Sequence, residues 1–236
     1  ETMIRWTDWL TDRWDDGDVP DMLPEMRRVT LLILMEALFA VDFSRDLERL
    51  WPTILKVLSY ISPGLWLVWR KTPRLNHKPA LAQMDAYLYS LIQQRRTAPV
   101  GQDDMLSQLI TMSSLSDDLI RDQLLTILIA GHDTTTALLA WTLWLLGSHP
   151  AEMARVQAEV DEVLVGKMPT VANLPRLIYL EQVIDEALRL YPPIHLSMRT
   201  AMTDLVFQGC HLPAGTRECA AGIKAPMGRI YREASR

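Results

Sequence analysis

The stretch Leu124 to Leu146, LLTILIAGHDTTTALLAWTLWLL, decides the fold. It is apolar on nearly every side, and a helix with no polar face belongs inside a protein. Just upstream, Ser116-Asp117-Asp118 offers an N-cap and two carboxylates in the first turn, where they favour the helix dipole. Run on to Ser148, such a helix would be roughly 50 Å long, enough to cross a domain. Within it lies Ala130-Gly131-His132-Asp133-Thr134-Thr135-Thr136. Burying an Asp and several hydroxyls costs a few kcal/mol unless they find partners. A glycine inside a helix costs about 1 kcal/mol relative to alanine. Threonines that return their hydroxyls to the preceding turn bend a helix. Two readings follow. In one, Gly131 ends a helix and Asp133 caps the next. In the other, the helix runs through with a local distortion and a polar pocket beside it. Gly131 then leaves room for a ligand, and Asp133 and Thr134 handle protons.

On either side of this stretch the chain reads as helices. Thr2 to Trp14 forms a short one, and WDDGDVPDMLP is a turn region. Arg28 to Phe43 is a buried helix. Arg45 to Ser62 and Pro79 to Arg96 repeat apolar residues at spacings of three and four, as amphipathic helices do. Asp104 to Met112 is a short helix. Pro150 opens another that ends at Gly166, and Leu177 to Tyr191 is the next, stopped by Pro192-Pro193. The period then changes, and DLVFQGCHLPAGT reads as a β-hairpin around Gln208-Gly209. The expected fold is mainly α with a minor β-hairpin near the C-terminus.

Composition narrows the function. The 236 residues are 49% hydrophobic and 22% charged, which marks a globular chain. The formal charge of -5, with no basic stripe, speaks against a nucleic-acid binder. Two cysteines, Cys210 and Cys219, exclude a disulfide scaffold and a multi-cysteine zinc site, and no metal-ligating set is expected. No uninterrupted apolar run reaches the length of a membrane span. The opening ETMIRWTDWL does not resemble a signal peptide, and a cytoplasmic location is expected. The chain lacks an initial Met, so a missing start is also expected.

Two further features carry chemistry. Glu186 and Arg189 in EALRLYPP share a helix face. Taken alone they read as an exposed pair worth a few tenths of a kcal/mol. Arg199, just before the hairpin, has a fork that holds a carboxylate bidentately. In that order, AGHDTT at 130–135, Glu186-Ala-Leu-Arg189, LYPP, Arg199 and the hairpin segment together resemble the cytochrome P450 superfamily of haem-thiolate monooxygenases. The resemblance covers about residues 15 to 216, with Arg45 to Ser62 and Pro79 to Arg96 as the helices over the substrate. It implies a P450-like helical domain with a long central helix. It implies that Asp133 and Thr134 help deliver protons to dioxygen, and that Ala130 and Gly131 line the oxygen groove above the haem. Glu186 and Arg189 would form a structural ion pair, and Arg199 would meet a haem propionate. The implied reaction inserts one oxygen atom from O2 into an apolar substrate, with electrons from a redox partner of the NAD(P)H-reductase or ferredoxin type.

The chain departs from the family in three places. The family's cysteine loop under the iron is not found. Gly215 to Cys219 has part of its spacing, but Leu212 and Ala221 stand where Phe and Gly belong, and the position is too early. Cys210 reads as a small core residue. Trp9 to Arg13 matches the family's haem-contacting W-x-x-x-R but lies too near the following helices. The tail 217–236 matches nothing in the family, so an internal fragment with a shifted or truncated end is expected. Two other functions compete. His132-Asp133 is the dipeptide of helical metal phosphohydrolases, with only His77, His149, His195 and His211 left to complete a site. An inert helical interaction protein is the other.

Overall fold

The computed structural model describes residues 1–61, 77–98, 104–112, 114–194, 196–207 and 209–221. Helices dominate: α1 (Thr2–Thr11), α2 (Met22–Phe39), α3 (Ser44–Ile61), α4 (Lys78–Thr97), α5 (Met105–Thr111), α6 (Asp117–Ser148), α7 (Pro150–Leu164) and α8 (Ile178–Leu190). Strands β1 (Leu196–Thr200), β2 (Leu205–Phe207), β3 (Cys210–Leu212) and β4 (Arg217–Ala221) follow. The chain divides into two compact units, Glu1–Thr136 and Ala137–Arg236.

In the first unit, α2 begins earlier than its sequence suggests. Asp21 accepts from the Leu23 amide at 3.1 Å, and Pro24 falls inside the first turn. A first-turn proline removes no intrahelical bond, so the apparent breaker sits in a helix start. α1 docks on α2 through Glu36. Its carboxylate accepts from the Thr2 hydroxyl at 3.0 Å, the Trp6 indole at 2.7 Å and the Arg5 guanidinium. The apolar stripes predicted for the next two helices are buried: Leu47, Leu50, Ile54 and Val57 on α3, and Met84, Leu88, Leu91 and Ile92 on α4. Arg95 on α4 is a buried clamp. It donates to Asp104 and Ser107 at the start of α5 and, at 2.8 Å, to the Phe39 carbonyl ending α2.

In the second unit, α7 sets the position of α8. The Glu159 carboxylate accepts the Tyr179 and Leu180 amides at 2.7 and 2.9 Å, capping a helix start that has no side-chain cap of its own. The Tyr179 hydroxyl donates to Glu152, and Arg155 lies 4.0 Å over the Tyr179 ring. The expected hairpin is β2 against β3, antiparallel, with Gly209 at φ +82° in its turn. A second antiparallel pair joins β1 to β4, Arg199 opposite Glu218. β4 lies in the stretch assigned to the unmatched tail. Its partner is some twenty residues back, and no local pattern announces it.

α6 corrects one expectation. Its burial is one-sided, not all round. Leu124, Leu128, His132 and Thr136 form a buried row at spacing four, whereas Trp141, Leu143 and Trp144 are exposed. Trp141 stacks flat on Tyr191 at 4.0 Å and Trp144 meets Trp141 edge-on, so these rings cover one another. α6, 32 residues long, also contains an 18-residue stretch long and apolar enough by composition to cross a membrane, which no uninterrupted run suggested; 22% of that stretch is buried.

Candidate functional site

α6 carries Ala130 to Thr136 through without a break, over about 48 Å of helix. The alternative of two helices meeting at Gly131 is not what the chain adopts. Each threonine hydroxyl donates to the carbonyl four residues back: Thr134 to Ala130 at 2.8 Å, Thr135 to Gly131 at 3.0 Å and Thr136 to His132 at 2.8 Å. The hydroxyls are thus satisfied within the helix itself.

At about 100° per residue, the stretch sorts into faces. His132 and Thr136 are fully buried. Ala130 and Thr134 stand roughly half a turn away; Ala130 is exposed and Thr134 half-buried. Asp133 stands at the rim between them, its side chain 42% exposed.

The buried row meets α2 in a polar seam. The hydroxyls of Thr30 and Thr136 lie 2.8 Å apart, both buried. Arg27 donates to Asp133 Oδ1 at 2.9 Å. A Cβ at Gly131 would run into the Leu34 side chain of α2. The room left by Gly131 is therefore taken by Leu34. His132 donates through Nδ1 to the Leu128 carbonyl, while Nε2 is buried without a partner. Burial holds its pKa below the ordinary histidine value, and a neutral ring makes that Nδ1–H bond.

The second unit holds the other predicted residues. Glu186 and Arg189 pair through two hydrogen bonds of 2.6 Å, at side-chain exposures of 26% and 22%. That is a bidentate, half-buried fork rather than the solvated pair that spacing alone suggests. The bond from Arg189 holds the Glu186 carboxyl below its usual range. Glu186 also lines a cavity of about 200 Å3 with Tyr179, Glu152 and His149. Arg199 is exposed on β1.

A cytochrome P450 family model matches residues 2–219. The chain belongs to the cytochrome P450 family. Cyclooctat-9-en-7-ol 5-monooxygenase of Streptomyces melanosporofaciens is 32% identical over 219 residues, 86% of this chain and 47% of that protein. Pentalenene oxygenase of Streptomyces avermitilis is also 32% identical, over 86% of this chain and 48% of its own. Putative cytochrome P450 139 of Mycobacterium tuberculosis is 33% identical over 91% and 52%. The crystal structure of the cytochrome P450DA heme domain superposes with a TM-score of 0.81 at 28% identity, over 93% of this chain and 51% of that one. The chain spans about half the length of the curated relatives it matches.

Within this P450 chain, sequence reasoning missed Arg27, Thr30, Leu34 and Glu159. One signal was available. Arg27 and Thr30 are two polar residues three apart in an apolar helix, and Asp133 and Thr136 repeat that spacing. The two cysteines supply no described iron ligand: Cys210 is exposed on β3, and the side chain of Cys219, on β4, lies outside the described residues. Arg13 lies 4.6 Å over the Trp9 ring, a local contact.

Proposed function

We propose that the whole protein is a haem-dependent monooxygenase that inserts one oxygen atom from O2 into an apolar organic substrate, drawing electrons from a redox partner. The observation that carries this is the intact AGHDTT stretch on an unbroken helix, with Ala130 and Thr134 on its open face and Asp133 at the rim. The names of the relatives, pentalenene oxygenase and cyclooctat-9-en-7-ol 5-monooxygenase, support the reaction class.

Two side chains, each taken within its own unit, have the chemistry a haem would need. Ala130 is exposed and projects only a methyl, which leaves the backbone of α6 open to a flat ring. Arg199 is exposed, with a fork suited to a propionate. Among the described residues no cysteine is placed as the ligand below. When bound, haem supplies activation of O2 at its iron. The chain's part is to hold and move protons. The Thr134 hydroxyl, resting on the Ala130 carbonyl, is a donor that rotates outward at the cost of one hydrogen bond. Asp133, next in sequence and reaching solvent, can restore that proton. Glu186 and Arg189 brace one face of α8.

The metal-phosphohydrolase reading has no support. His132 gives its Nδ1–H to the Leu128 carbonyl and Asp133 pairs with Arg27, and no group of three or more metal-ligating side chains stands among the described residues.

Two measurements on the whole haem-loaded protein test the proposal. Reduction under carbon monoxide should give the thiolate-type absorption band. Thr134→Ala should leave oxygen consumption running while product formation falls by about 10-fold or more, the scale of a lost proton-transfer group. Coupling equal to the parent would remove the proton role from Thr134.

A further inference from the structure

Arg27 is half-buried on α2, with its side chain 18% exposed. Among the described residues its ion pair is with Asp133, and it is held by one arm: the terminal nitrogen donates to Oδ1 at 2.9 Å, while Nε is buried with no partner. A full fork would use both donors and both carboxylate oxygens. Asp133 stands at the rim between the buried row and the open face that carries Thr134. One hydrogen bond to α2 therefore holds the carboxylate, on the residue next in sequence to Thr134.

We infer that Arg27 is a positioning residue for Asp133. It parks the carboxylate at the rim of α6 and keeps it from wandering into solvent. The inference rests on the proton-delivery reading above and adds to it a latch from a helix more than a hundred residues away. Thr30, one turn further along α2, binds Thr136 in the same seam but touches neither Asp133 nor Thr134. It is the internal control for mere packing.

The test has two arms. In urea unfolding of the chain without haem, Arg27→Gln, Asp133→Asn and the double variant should be non-additive by about two- to fivefold in the unfolding constant, the size of a part-buried pair. Additive effects would show that the pair does not form, and the proposal would be lost. In the whole haem-loaded protein, Arg27→Gln should lower product per oxygen consumed several-fold and raise the solvent isotope effect on product formation. Substrate affinity should stay unchanged, Arg27→Lys should restore most of the loss, and Thr30→Val should behave as the parent. If Thr30→Val reproduces the defect, packing explains it and Arg27 has no special part. If Asp133→Asn uncouples but Arg27→Gln does not, only the Arg27 assignment falls. If Asp133→Asn itself stays coupled, the proton-delivery reading falls with it.

Discussion

Gly131 invites a substitution whose sign depends on one neighbour. In an isolated helix, Gly→Ala stabilises by about 1 kcal/mol, because alanine has less backbone freedom to lose. Here the new Cβ would overlap the tip of the Leu34 side chain, which is 8% exposed on α2 and must shift to admit it. Overpacking of this kind costs about 1–3 kcal/mol. Gly131→Ala should therefore be destabilising by up to about 2 kcal/mol in the parent chain. Leu34→Ala alone removes buried methyls and should cost about 2–5 kcal/mol. In that background the obstacle is gone, so adding Gly131→Ala should recover up to about 1 kcal/mol. Urea unfolding of the four chains, followed by helical circular dichroism, reads the reversal. If Gly131→Ala stabilises the parent, or costs the same in both backgrounds, then Leu34 does not set the need for glycine.

His132 makes the chain sensitive to mild acid. Its folded pKa lies below the ordinary value of 6.5, so below that pH the unfolded chain takes a proton the folded one refuses. Stability should fall as pH drops below about 6.5, with a slope of at most about 1.4 kcal/mol per pH unit for the one proton. His132→Gln should flatten that slope whatever it does to absolute stability, and an unchanged slope would mean another group titrates. Arg95→Met should cost about 3–5 kcal/mol in urea unfolding by stranding the buried Asp104, 7% exposed. Changing Asp104 to Leu as well should return a large part of that loss, and a double variant no better than the single would contradict it.

Local pattern revealed what local physics decides. The stripes of α3 and α4 repeat at three and four residues, and both helices run to within one residue of the ranges expected from them. α2 was cut short because Pro24 looks like a breaker unless Asp21 is seen to cap the turn that contains it. β4 was missed because a strand is defined by its partner. The candidate site shows the same division. Ala130 to Thr134 stand out as polar residues in an apolar run, and Glu186 and Arg189 by their spacing. Arg27 and Leu34 act on Asp133 and Gly131 only through the approach of α2, and in MRRVTLLIL the spacing of Arg27 and Thr30 is the one mark of the face that meets the other helix. The expected bend at the threonines also needed the structure: their hydroxyls bond back without interrupting α6.

The polar stretch is then two devices sharing one turn and a half of helix. A porphyrin lying against α6 accounts for Ala130 and Thr134, which face outward. It does not account for His132 and Thr136, which are buried against α2, or for Gly131, whose missing side chain makes way for Leu34. A buried imidazole and two buried hydroxyls are costly placements, tolerable because Leu128, His132, Met26 and the Thr30–Thr136 contact supply partners. Such a seam fixes the rotation of α6 about its axis. Turning the helix by one residue, about 100°, would bury Asp133 and expose His132. Rotation decides which side chains look outward, so the open face depends on the fit of the seam as a whole, and a shape-preserving change such as Thr30→Val leaves it in place. A change that lets α6 turn should disturb Thr134 as surely as one that removes it, even though it touches no residue on the open side.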